Sequence, residues 1–372
     1  MKIALFASNR TTVPPQPGTI SASAWLVSAL ADHLVDRGHD VTLYAPSGST
    51  SKAKVIDLGL PPSSLDFSMT YDEWDSKDSF GEKLCYLAEL YRHAANYDVI
   101  NLHTEPVYLG MPLAIQSSTP TVFTNHNIFR TQQQRIFQYY RNLPIVSISD
   151  FQRTLMPDLN YLATIHNGVA VEKYPVFTEP YEHLSFIGRL TSAKGVAEGI
   201  AAAKAAGKSL QVAGVGRKDF IEDIILPHIS DQIKFIGPIN AKSDRWYSHY
   251  GSAKATLVPI QWEEPFGLVS IESMATGTPV IGIARGAVPE IIVDGVTGFL
   301  VNPSNGDRRG DFLTKATGVD GLREAIDRLY ALPTDLYMAM RRHARRHIMK
   351  NFSVDSMVTS YEAIYKKCLS LG

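Results

Sequence analysis

Apolar residues in this chain come in short continuous runs, with amphipathic stretches between them. Lys2 to Ala7 is the first run and predicts a buried strand. After the loop SNRTTVPPQPGTIS, Trp25, Leu26, Leu30 and Leu34 fall on one helical face, and Gly38 supplies the stop. HDVTLYAP predicts the next strand. Strand, loop, helix, strand is the opening βαβ unit of a doubly wound sheet. Further strands are predicted in YDVINLHTE (97–105), PTVFTNHN (120–127), LPIVSISDFQ (143–152) and YLATIHNGV (161–169), with Ser149 or Asp150 capping a helix. His103, Glu105 and His126 stand where these strands end, the place at which open α/β sheets hold ligands.

Around 171–180 the periodicity lapses into VEKYPVFTEP, which reads as a linker. The alternation then restarts. HLSFIGR, SLQVAGVG, IKFIGP, KATLVPI, TPVIGI and TGFLVNP predict strands, and AKGVAEGIAAAKAAG predicts an Ala-rich helix ended by Gly207. From about Leu322 the tail is helical. The pattern predicts an α/β protein with two doubly wound domains of similar size, residues 1–175 and 176–354.

Bulk composition narrows the function classes. The 372 residues are 45% hydrophobic and 20% charged, as in ordinary globular proteins. A formal net charge of −1 supplies no global field for nucleic acid or an anionic membrane. Cys85 and Cys368 suggest neither a disulfide framework nor a thiolate metal site. The opening run is too short for a signal-peptide core, and no window approaches a membrane span. A soluble cytoplasmic protein is the expectation.

Three stretches carry candidate chemistry. In SFIGRLTSAKG, Gly188 allows close backbone approach, Arg189 offers a planar fork and Lys194 a mobile charge near a helix start, together a diphosphate site. In QWEEPFGLVSIE, Glu264 and Glu272 flank the helix-breaking Pro265-Phe266-Gly267. The amides of Gly267, Leu268 and Val269 would face outward as a second anion cradle, and each carboxylate could accept from vicinal hydroxyls. Against this stands the plainer reading of one capping acid, one exposed acid and a core Phe266. AGVG (213–216) lacks the third glycine of a dinucleotide fingerprint and reads as a tight strand-to-helix turn. RRHARRH (341–347) reads as a solvated helix face, with docking to acidic lipid headgroups as the alternative. No D-x-D, H-E-x-x-H, G-x-S-x-G or P-loop motif occurs.

With these residues in view the chain resembles the retaining glycosyltransferases of family 4. EPFGLVSIE matches their E-x7-E signature, GRLTSAKG their phosphate-binding Arg and Lys, and GTPVIGIARGAVPEIIVDGVTGFLV the stretch that follows. The resemblance implies a GT-B fold, two Rossmann-like domains facing a central cleft, with the last helix (about 355–372) packing back on the first. It implies a nucleotide-sugar donor, UDP-linked by prevalence with GDP possible, and an unidentified acceptor hydroxyl in glycan, glycolipid or glycosylated-metabolite synthesis. Neither a metal nor a further cofactor is implied. Carried over by motif, Arg189 and Lys194 would neutralise the departing diphosphate, with Gly188 beside them. Glu264 would hold the donor sugar with Phe266, Gly267 and Leu268, and Glu272 the ribose. His126 matches the histidine near the reacting sugar. Base contacts in such folds are largely backbone and would fall near Gly237–Ile239, with Gly237 and Pro238 as the donor-binding residues. The family's glycine loop would bring Gly18 to the phosphates, although adjacent glycines are here replaced by Pro17-Gly18-Thr19. Two other readings stand beside a transferase: another GT-B enzyme such as an epimerase or phosphorylase, and a non-catalytic nucleotide-sugar-binding protein.

Overall fold

A computed structural model describes residues 1–17, 19, 21–63, 77–178 and 182–371, without the side chains of 77–79 and 371. Gly18 thus lies outside the described residues. The chain divides into two compact units, Met1–Gly168 with Val354–Gly372, and Val169–Ser353. No described helix is long and apolar enough to cross a membrane.

The first unit holds a seven-stranded parallel sheet. Its strands are β1 (Lys2–Phe6), β2 (Asp40–Tyr44), β3 (Lys54–Ile56), β4 (Val99–Leu102), β5 (Thr121–Asn125), β6 (Ile145–Ser147) and β7 (Tyr161–Thr164). They lie in the order β3-β2-β1-β4-β5-β6-β7. β4 and β5 are buried along their whole length, so the polar side chains of Asn101, Thr121, Thr124 and Asn125 are enclosed together with the apolar ones. Ser149 is the residue that caps the following helix, its hydroxyl accepting from the Gln152 amide at 3.1 Å. The closing helix, Val354–Leu371, belongs to this unit: Arg37 donates to Asp355 and Glu362, and the Asn101 amide donates to Tyr365 at 2.7 Å.

The second unit repeats the plan with six parallel strands: β8 (His183–Leu190), β9 (Ser209–Gly216), β10 (Ile233–Gly237), β11 (Ala255–Val258), β12 (Val280–Ile283) and β13 (Gly298–Val301). Their order is β10-β9-β8-β11-β12-β13. In each sheet the winding reverses once, between β1 and β4 and between β8 and β11, and these are the switch points where α/β sheets place ligands.

Three expectations need correction. The division falls after Gly168, not at 175, because Val171 and Tyr174 are buried in the second unit and Arg345 donates to both their carbonyls. AGVG is not a turn. β9 runs on through Gly216, and a Cβ on Gly214 would stand 1.9 Å from the Gly188 carbonyl oxygen on β8, so glycine serves strand packing. RRHARRH is not a solvated face. Arg341 is 3% exposed, and its guanidinium donates to the carbonyls of Phe177 (2.9 Å), Gly251 (3.2 Å) and Ala253 (3.4 Å). Arg345 likewise donates to Val171, Tyr174 and Ala275. Half of the arginines in that stretch satisfy the unit's own backbone and leave a lipid patch depleted.

Candidate active site

The second switch point gathers most of the predicted residues. β8 carries Gly188 and Arg189 just before its last residue, Leu190, and a single turn, Ser192–Lys194, leads into the helix Val196–Ala205. Gly195 makes that link at φ 71°, and a Cβ there would lie 1.8 Å from the Pro259 carbonyl oxygen. The Gln261 amide also donates to Ala193 at 2.8 Å, so the turn is pinned to the loop that follows β11. Lys194 is thereby delivered to Glu264. Its ammonium donates to Oε2 at 2.6 Å and stands 4.9 Å from the centre of the Trp262 ring, whose indole N–H donates to the same oxygen at 3.0 Å. Residues 70 apart in sequence become one cluster. Arg189 makes no side-chain hydrogen bond or ion pair among the described residues.

Pro265-Phe266-Gly267 is the turn that starts the helix Leu268–Ala275. Gly267, at φ 107°, caps it in a conformation that favours glycine. The amides of Gly267, Leu268 and Val269 donate to nothing among the described residues, as expected for a free helix N-terminus. The buried Ser270 hydroxyl beside them also has no partner there. Phe266 is 2% exposed and packs against Phe352, so it shapes the turn from within. Glu264 itself is 9% exposed.

Sequence reasoning missed what holds that carboxylate's backbone. The Ala287 amide donates to the Glu264 carbonyl at 2.9 Å, and a Cβ on Gly286 would lie 2.1 Å from that oxygen. Next door, Glu263 accepts from the Gly286 amide at 2.6 Å and from Arg309 at 2.8 Å, with Arg285 at 3.5 Å. Arg309 also binds Asp307. The available signal was ARGAVPE with a charged run, DRRGD, after the last strand.

Glu272 is the fifth residue of its helix and belongs to a second cluster. Lys242 donates to its Oε1 at 2.9 Å and Tyr250 to its Oε2 at 3.2 Å. Burial, with the Glu272 charge, pushes the Tyr250 phenol well above its usual pKa, which keeps it a donor. Gly237 closes β10 at φ 72° with open space where a side chain would be, and Pro238 follows.

His126 lies in the first unit, just past β5. His103, just past β4, meets it with Nδ1 3.0 Å from Nε2 and the rings stacked at 5.2 Å. Burial pushes His126 down to about 4 and, with the neighbouring ring, His103 well below the usual histidine range. Both imidazoles are neutral near pH 7 and available as hydrogen-bonding groups.

Two family models match, glycosyltransferase family 4 over residues 24–173 and glycosyl transferases group 1 over 173–316. The chain belongs to the group 1 glycosyltransferases of the two-domain GT-B fold. It is 25% identical over 405 aligned positions to the D-inositol 3-phosphate glycosyltransferase of Mycolicibacterium smegmatis, a match covering 95% of this chain and 89% of that one. An uncharacterized glycosyltransferase of Methanocaldococcus jannaschii is 29% identical over 192 residues, covering 50% of this chain and 45% of its own length. In fold, sucrose-phosphate synthase from Thermosynechococcus elongatus superposes with a TM-score of 0.77 at 19% identity over the whole of both chains. Anabaena HepE in complex with UDP-glucose gives 0.70 at 17% identity, covering 99% of this chain and 100% of that one.

Proposed function

We propose that this chain moves a hexosyl group from a nucleotide sugar to an acceptor hydroxyl, with retention of configuration and without a metal. The observation that carries the reading is the second switch point, where Lys194 and Glu264 share a 2.6 Å ion pair and where, among the described residues, the Arg189 side chain and three helix N-terminal amides have no partner. The complexes of HepE with UDP and with UDP-glucose favour a UDP-sugar as donor. An ammonium has three donors, so Lys194 can hold Glu264 and still reach a diphosphate oxygen. Arg189 and the amides would take the other oxygens, and Glu264 the hydroxyls of the transferred sugar.

Transfer breaks the bond between the sugar C1 and the diphosphate oxygen, and the electron pair stays on the diphosphate. Preorganised cations and amides stabilise that developing charge in place of water. The acceptor oxygen bonds to C1 on the face being vacated, and its proton passes to the departing phosphate oxygen. In this reading Glu264 is a sugar ligand, not a nucleophile. His126 would donate or accept a neutral hydrogen bond near the sugar.

The test is nucleotide release from a panel of UDP-, GDP- and ADP-sugars, with and without EDTA, for wild type and Glu264→Ala. Expected are turnover with one base class, indifference to EDTA, and loss in the variant. Nucleotide binding without turnover of any donor would turn the reading into that of a binding protein.

A further inference from the structure

Lys242 is one of two non-glycine residues with positive φ among those described, at 65°. Lysine has no intrinsic preference for that region, and strain of this kind persists where surrounding contacts impose it. The contacts are specific. Lys242 sits in the loop after β10, its ammonium 4.4 Å from the centre of the Trp246 ring and 5.0 Å from that of Tyr174. It donates to the Tyr174 hydroxyl and, at 2.9 Å, to Glu272 Oε1. Tyr250 donates to the other oxygen, Oε2.

Counting lone pairs gives the consequence. A carboxylate offers about four acceptor positions, two on each oxygen. Lys242 takes one on Oε1 and Tyr250 one on Oε2. One position on each oxygen is left, which is what a vicinal diol donating two hydrogen bonds requires. The aromatic rings of Tyr174 and Trp246 flank the Lys242 ammonium, and Lys242 and Tyr250 each hold one carboxylate oxygen.

We infer that Lys242 is a positioning residue for ribose: with Tyr250 it orients Glu272 so that the nucleotide's 2′- and 3′-hydroxyls are read as a pair. The inference rests on the donor-site reading above. It also ties the base-side loop to the ribose carboxylate, so one strained residue couples two parts of the nucleotide site.

The experiment is calorimetric titration with UDP, GDP and ADP, then with the 2′-deoxy form of whichever binds wild type most tightly. Wild type is expected to prefer the ribonucleotide by roughly tenfold or more, since a hydrogen bond to a charged group is lost in the deoxy form. Lys242→Met keeps the aliphatic stem over Trp246, and the preference should shrink toward unity. A purely structural role would weaken both nucleotides alike and leave the ratio untouched, and that result overturns the inference. If Lys242→Met does not fold, Lys242→Gln is measured in its place with the same two outcomes. Glu272→Gln separates this from the parent reading. If it keeps the wild-type ratio, Glu272 does not meet ribose and the inference falls, while the donor reading built on Lys194 and Glu264 stands. If it collapses the ratio while Lys242→Met preserves it, only Lys242 is removed. Failure of wild type to bind any of the three nucleotides overturns both.

Discussion

The two sheets share a winding plan, yet their switch points are chemically different. Beyond β4 and β5 the central feature is a histidine pair that burial keeps neutral. Beyond β8, β10 and β11 it is lysine paired with carboxylate, Lys194 with Glu264 and Lys242 with Glu272. Neutral groups can orient a hydroxyl without discriminating strongly by charge. Fixed ion pairs that retain free donors can stabilise a dianion as it leaves. Similar folds thus acquire unlike chemistry through the loops at their strand ends.

If this contrast governs function, the largest effect comes from the charged side. Lys194→Ala and Arg189→Ala should each lower kcat by about 10²–10³-fold, the scale of losing one preorganised stabiliser of transition-state charge. Steady-state nucleotide release measures it, and a loss under about fivefold for both would remove the assignment. Next comes the internal cation of that unit. Arg341→Met should cost about 2–3 kcal/mol, because buried carbonyls lose a charged donor. The melting temperature should fall while turnover per folded molecule holds, and an unchanged melting temperature contradicts the internal role. His126→Gln should lower turnover only about tenfold, the scale of one hydrogen bond. A loss matching that of Lys194→Ala would break the contrast between neutral and charged sides.

Stability should also depend on pH. His126 titrates near 4 in the folded unit but near the ordinary histidine value, about 6.5, when unfolded. Between those values the unfolded chain binds protons that the folded one does not, so stability is flat above about 6.5 and declines as pH falls toward 4. His249 in the second unit, pushed by burial to about 4, acts in the same direction. Thermal melts from pH 7 to 4.5 should show a shallower decline in His103→Asn/His126→Asn than in wild type. An equal slope would mean that this pair does not carry the linkage.

Much of the architecture was legible because parallel strands buried on both faces write themselves as apolar runs. The loop that bears Glu264 was legible as a break because chemistry and backbone interruption coincide at Glu264-Pro265-Phe266-Gly267. Long-range partners were not. Lys194 and Glu264 lie 70 residues apart, Lys242 and Glu272 30 apart, and only the sheet order joins them. Arg341 illustrates a different failure. Cations at 341, 342, 345 and 346 suggest a wet helix, yet Tyr337, Arg341, Ala344 and Ile348 form one inward stripe at helical spacing. Reading charge type before periodicity concealed it.

The closing helix has a consequence for the order in which the protein is made. The second unit is continuous, from Val169 to Ser353, and its ends are knitted together by the Val169 amide on the Phe352 carbonyl at 2.9 Å. All its residues are made before Val354. The first unit, begun earlier, must wait for Val354–Leu371, whose Tyr365 reaches Asn101 and whose Tyr361 reaches Thr124. The first half to be translated is thus the last to be completed, the reverse of simple N-to-C domain maturation.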